Sequence, residues 1–156
     1  MIRMNFRLFT VLSFCFFSSH YAVAQGDWVA CGDDQVMIVD SKAAVNGKAP
    51  VIWAWKVSEA TSLPAAYQKL MIPLDECKPI DDGRRLLITS SGGGAILLDK
   101  ATKKILFYAK VPMAHSAEML PNGRIVVALS THKAGNSIEL YEAASAEKLL
   151  FKDSLN

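Results

Sequence analysis

From residue 75 onward, apolar positions fall into short runs, each closed by a cluster of Gly, Asp, Asn or Pro, the punctuation of strands and tight turns. Two stretches share one layout of strand, turn, strand, loop, strand: DECKPIDDGRRLLITSSGGGAILLD from Asp75, and HSAEMLPNGRIVVALSTHKAGNSIELY from His115. Placing Gly83 on Gly123 aligns Arg84 with Arg124, Leu86-Leu87-Ile88 with Val126-Val127-Ala128, and Ser90 with Ser130. The step is 40 residues, the length of one four-stranded propeller blade. The second strands of the repeat (RLLIT, RIVVAL) are apolar without alternation. That pattern suits a sheet covered on both faces, whereas sandwich strands alternate. Pro79 falls on the innermost strand, whose free edge tolerates a missing N–H.

The pattern therefore predicts an all-β fold of β-propeller blades, each of four antiparallel strands, with about three blades present. Blade 1 spans 26–57, with strands at 28–31, 35–39 and 51–57. Aligning Asp40 with Asp99 puts Cys31 on Ser90, so these are second, third and fourth strands and the inner strand is missing. Blade 2 spans 75–111, with strands at 76–80, 85–90, 95–99 and 104–111. Blade 3 spans 115–153, with strands at 116–120, 124–130, 137–142 and 148–152. Residues 58–73 form an insertion in which Ser62, Pro64 and the composition of 65–71 predict one short helix over an end of the propeller. Closure takes about four to eight blades. The chain is expected to be the N-terminal part of a longer propeller, or a subunit completed by a second copy.

The first 24 residues change the charge. Arg3 and Arg7, the apolar run from Leu8 to Phe17, and Ala22-Val23-Ala24 before Gln25 predict an export signal with cleavage after residue 24. The apolar run is about half the ~20 residues of a spanning helix, so no membrane anchor is expected after processing. Phe14 before Cys15 argues against a lipoprotein. The whole chain has 17 basic and 15 acidic residues; losing Arg3 and Arg7 leaves 15 against 15. No basic stripe interleaved with aromatics is left, which excludes nucleic-acid binding. Residues 25–156 then form the exported propeller portion, secreted or periplasmic, with Cys31 and Cys77 in an oxidising compartment. The two can pair as a disulfide or stay as buried thiols.

The secretion signal, WVACGDDQVMIVD, LPAAYQKL, CKPIDDGRRLLITSS and AHSAEMLPNGRIVVALSTH together resemble a family of secreted bacterial six-bladed β-propeller proteins of unassigned function. The resemblance covers essentially the whole exported chain. It implies the propeller fold and the export route, and that this chain corresponds to the N-terminal half of such proteins. It brings no catalytic residues.

Strand order places the odd residues at one end of the channel, the top. There lie Cys31 to Asp34, Glu59, the strand start at Asp75, Glu76 and Lys78, the loop from Ser90 to Gly94, His115, Ser116, Glu118, and the loop from Thr131 to Asn136. His115 is the equivalent of Asp75 one blade on, so the two project from matching points of adjacent inner strands. No metal site is predicted from the spacing, and His115 is the ligand if a divalent metal binds, with Glu118 beside the pair; the alternative is acid–base work on a sugar or ester. The competing role for His115 is to hydrogen-bond a neighbouring blade and lock its strand. Glu118 and Lys78 are also equivalent, as an ion pair across the channel wall or as ligand contacts, and His132 sits in a longer loop. Gly92-Gly93-Gly94 lacks the following helix and Lys-Ser/Thr of a phosphate cradle, and Asp33 with Asp34 falls short of a calcium shell. Trp28, Trp53 and Trp55 fit blade packing better than sugar stacking. No Ser-His-Asp order, H-E-x-x-H or dinucleotide fingerprint occurs.

Two functions remain open. One is a secreted module binding a ligand or partner, such as an extracellular glycan or protein, at the channel top. The other is a glycan-active hydrolase or lyase using a metal or acid–base site there.

Overall fold

The short runs pair into three antiparallel meanders. The computed structural model describes residues 26–131, 135–143 and 147–155; the signal expected at 1–24 and His132 lie outside the described residues. Sheet 1 holds β1 (Trp28–Gly32), β2 (Gln35–Val39) and β3 (Val51–Lys56). Sheet 2 holds β4 (Glu76–Ile80), β5 (Arg85–Ser90), β6 (Gly94–Asp99) and β7 (Ile105–Ala109). Sheet 3 holds β8 (Ala114–Met119), β9 (Arg124–Thr131), β10 (Gly135–Glu142) and β11 (Glu147–Leu155). A 3-10 turn at Val57–Glu59 and the helix α1 (Ala65–Leu70) lie between sheets 1 and 2.

Turn chemistry explains the hairpin joining β4 to β5. Asp81, Asp82 and Gly83 all take left-handed backbone, at φ 50, 54 and 78, which Gly adopts freely and Asp tolerates. Asp81 also ion-pairs with Arg85 at the start of β5.

Sheet 2 stands between the other two, and its side chains sort by the two-residue period of a strand. Leu86, Ile88, Ile96 and Leu98 enter one apolar layer with Val36 and Trp55 of sheet 1 and with Leu63 and Met71 of the insertion. Leu87, Ala95, Leu97 and Phe107 enter a second layer with Ala117, Ile125 and Val127 of sheet 3. Burial on both faces is why β5 and β6 read as unbroken apolar runs.

Neighbouring sheets meet by one repeated relation. β1 packs on β4, the first strand of the next sheet, and β5 packs on β8 in the same way. Together they form a row that does not close into a ring.

Several boundaries move from the expected ones for local reasons. β3 stops at Lys56, because the Lys56 N–H donates to the Glu59 carboxylate at 2.9 Å and the Val57 N–H to the Asp34 carbonyl at 2.8 Å, bending the chain into the 3-10 turn. The helix ends at Leu70, one residue early, with the Met71 N–H closing the last turn onto Tyr67 and Gln68. β10 starts at Gly135 because it pairs through Thr131 at the end of β9, and β11 runs on to Leu155 opposite Asn136.

Candidate functional site

The leading strands of sheets 2 and 3, β4 and β8, bring the predicted residues together, and the loop between β5 and β6 fixes their starts. The Ser91 N–H donates to the Asp75 carboxylate, and the Ser91 carbonyl accepts the Met113 N–H at 2.6 Å. One loop residue therefore holds the chain just before both strands. The Asp75 N–H in turn donates to the Thr89 carbonyl at 2.9 Å.

His115 sits in a β-bulge. Ala114 pairs with Leu129 and Ser116 with Ala128, so His115 is the extra residue between them. Bulges re-aim a side chain out of the ladder. Here the imidazole Nδ1 comes to 3.8 Å from the Asp75 Oδ2, with His115 45% exposed and Asp75 24%. That distance is an ion-pair separation, too long for a direct hydrogen bond. The backbone of His115 is held separately, its carbonyl accepting the Thr89 hydroxyl at 3.2 Å.

Lys78 occupies the next step along the same strands. Its ammonium donates to the Glu118 carboxylate at 2.9 Å, to the Ser116 hydroxyl at 3.3 Å and to the Ala117 carbonyl at 3.2 Å, and pairs with Glu76 at 3.3 Å. The hydrogen bond to Glu118, with a smaller one to Glu76, raises the lysine above its ordinary pKa against the opposing effect of burial. Lys78 thus ties β4 to β8. Along this strand pair Asp75, beside His115, and Glu76 and Glu118, beside Lys78, set three carboxylates against one ammonium, a surface that disfavours anions and offers acceptors to hydroxyl groups.

Other residues expected at this end lie elsewhere or are already occupied. Glu59 pairs with Lys103 of the β6–β7 turn at 2.8 Å, and that lysine, with the Lys56 N–H, holds its carboxyl below the usual range. The three glycines are filled by protein. A Cβ on Gly92 would stand 2.6 Å from the Leu70 carbonyl oxygen, and one on Gly93 2.5 Å from Met71 Sδ. The end of α1 lies on this loop, with Ser90 donating its hydroxyl to the Leu70 carbonyl at 3.1 Å. No signal in the local sequence foretold that docking.

Trp53 is half-buried, its indole N–H donating to the Lys100 carbonyl at 3.1 Å and Lys103 lying 5.9 Å from its ring centre. A cavity of about 530 Å³ opens beside it, lined also by Asp82, Arg84 and Asp99. Cys31 and Cys77 are half-buried free thiols packed against the same apolar layer, on the strands β1 and β4 that meet there. Among the described residues, no three His, Cys, Asp or Glu side chains gather as a metal site, and no helix is long and apolar enough to cross a membrane.

Among the described residues these features define an all-β arrangement of three antiparallel sheets and a lone helix, with a polar, partly exposed histidine–carboxylate surface where sheets 2 and 3 meet. Residues 20–142 match the model of a family of unknown function, DUF6528, and the chain belongs to that family. The chain matches no curated protein sequence.

Proposed function

We propose that the three sheets are consecutive β-propeller blades, 26–57, 75–111 and 115–153, with 58–73 inserted after the first, and that residues 1–24 direct export to a secreted or periplasmic location. The repeated packing of β1 on β4 and β5 on β8 supports the blade reading. So do the apolar side chains left open on sheet 1, with Trp28 63% and Ile52 53% exposed, which a further blade or a second copy would cover.

The domain acts as a binding module for a hydroxyl-rich extracellular ligand, a glycan, at the surface of Asp75, Lys78, His115 and Glu118. The observation that carries this is the bulged, exposed His115 beside an Asp75 whose carboxylate is oriented by a backbone N–H. Carboxylates and an imidazole hydrogen-bond hydroxyls without demanding charge on the ligand. His132, expected from the sequence in the loop after Thr131, belongs to this reading as a candidate ligand contact and lies outside the described residues.

The test is titration of the exported protein with a panel of neutral oligosaccharides, repeated with His115→Ala and Asp75→Asn. A bound sugar whose affinity falls about tenfold in both variants, at unchanged melting temperature, is the expected result. A lowered melting temperature with affinity reduced only in proportion makes His115 a strand-locking residue. Binding of no sugar in the panel defeats the glycan reading. The hydrolase or lyase reading draws on the same His115–Asp75 approach. It needs new reducing ends to appear from a bound oligosaccharide and to vanish in His115→Ala.

A further inference from the structure

We propose that Cys31 and Cys77 form a structural disulfide in the oxidised protein, one that staples sheet 1 and the helical insertion to sheet 2. Cys31 lies on β1 opposite Val36, and Cys77 on β4 opposite Ile88. Both partners are fully buried, so both sulfurs belong to the apolar layer between the two sheets. β1 packs on β4, and both cysteines lie against the same apolar layer, where the Cys31 thiol is close enough to act on the Cys77 thiol. A bond between them requires the two sulfurs to rotate into disulfide geometry within that layer.

The bond would close the chain between positions 31 and 77, a stretch that contains β2, β3 and α1. Sheet 1 is the part of the molecule that most needs such a tie. It has three strands, one covered face, and an edge at β1 that no strand among the described residues pairs with. The same bond would fix β4, the strand that follows Asp75 and carries Lys78, so the staple and the candidate binding surface share one element.

Formation is a thiol–disulfide exchange with a small or protein disulfide as the oxidant. The Cys31 thiolate attacks that disulfide, gives a mixed disulfide and releases one thiol. The Cys77 thiolate then displaces the second thiol from Cys31. Two electrons pass from the cysteine pair to the oxidant, which leaves as two thiols, and the two cysteine protons are accounted for on those thiols. Burial first, and then the neighbouring Cys31 thiol, push the Cys77 thiol far up, which makes the closing step slow. The same property makes Cys77 a poor leaving group, so the bond resists reduction once made. This is the behaviour of a structural cross-link and not of a redox switch.

The experiment incubates the folded full chain with oxidised glutathione at pH 8, alkylates under denaturing conditions and maps the peptides by mass, scoring Cys15 separately. A Cys31–Cys77 linked peptide is expected, together with a melting temperature about 5–15 °C above that of the dithiothreitol-reduced protein. The Cys31→Ala/Cys77→Ala variant should melt identically with and without reductant. Alkylation of both cysteines, or a glutathione adduct that persists on Cys31, would overturn the pairing. A linked peptide with no change in melting would overturn the staple. No ligand enters the measurement, so its outcome is independent of the glycan reading.

Discussion

β5 and β9 carry matching apolar motifs forty residues apart, yet the fold treats them differently. In β5 every residue from Leu86 to Ser90 is buried, because sheet 1 covers one face and sheet 3 the other. Among residues 124–130 of β9 only Ile125, Val127 and Leu129 are buried; Val126 is half-buried and Ala128 exposed. β2 repeats the one-sided pattern, with Val36 and Ile38 buried and Met37 and Val39 half-buried. An apolar run without alternation thus states that a strand suits two covered faces. Whether both are covered depends on what stands next to it.

The sharpest way to break this comparison is truncation at aligned positions. Leu86→Ala empties a site enclosed between two sheets and should cost about 2–5 kcal/mol by denaturant unfolding. The aligned Val126→Ala, on the open face, should cost under ~1 kcal/mol. Comparable losses would show that the outer face of sheet 3 is covered after all.

Glycine substitutions carry the contrast to the turns. Gly93→Ala drives a methyl into Met71 and should cost about 1–3 kcal/mol, since α1 must shift off the loop. Gly123→Ala meets open space and bears only the strain of φ 81, about 1 kcal/mol. If the two variants melt alike, the docking of α1 on sheet 2 is not a rigid one.

The uncovered face of sheet 1 predicts self-association. Sedimentation of the wild-type protein should show mass rising with concentration, and Trp28→Ser with Ile52→Ser should suppress it while changing stability by no more than ~0.5 kcal/mol. A monodisperse wild-type monomer would count against the open-face picture.

The smallest effect belongs to the Lys78 tie between β4 and β8. Its pKa is raised by Glu118, so its stabilisation is complete below the ordinary lysine range and fades as pH climbs through the raised folded value. With a side chain 34% exposed, the loss in Lys78→Met should stay under ~1 kcal/mol and shrink further in high salt. A larger, salt-independent loss would make Lys78 a buried anchor.

Much of the fold was legible because its signals are local. The Asp-Asp-Gly and Pro-Asn-Gly turns, the two-residue period, Pro64 before the helix and the forty-residue step each act within a few residues or by plain repetition. The candidate site was legible in part. Equivalence of Asp75 and His115 under that step placed them at matching strand starts, and adjacent sheets then bring matching points together. Glu59 was misplaced because Lys103, distant in sequence, draws it toward the β6–β7 turn.

Local pattern along the chain marks the turns, the order of the strands, the runs that are apolar on both faces, and the repeat-equivalent positions of Asp75, Lys78, His115 and Glu118. Tertiary structure alone decided the rest. The bulge at His115 arises where β8 pairs with β9, the filled glycine loop where α1 lands on sheet 2, and the thiol contact where β1 meets β4. Each depends on how one sheet packs on the next. A chain's local pattern fixes side-chain alternation within a strand, but sheet packing, acting between residues far apart in sequence, selects which of those side chains meet.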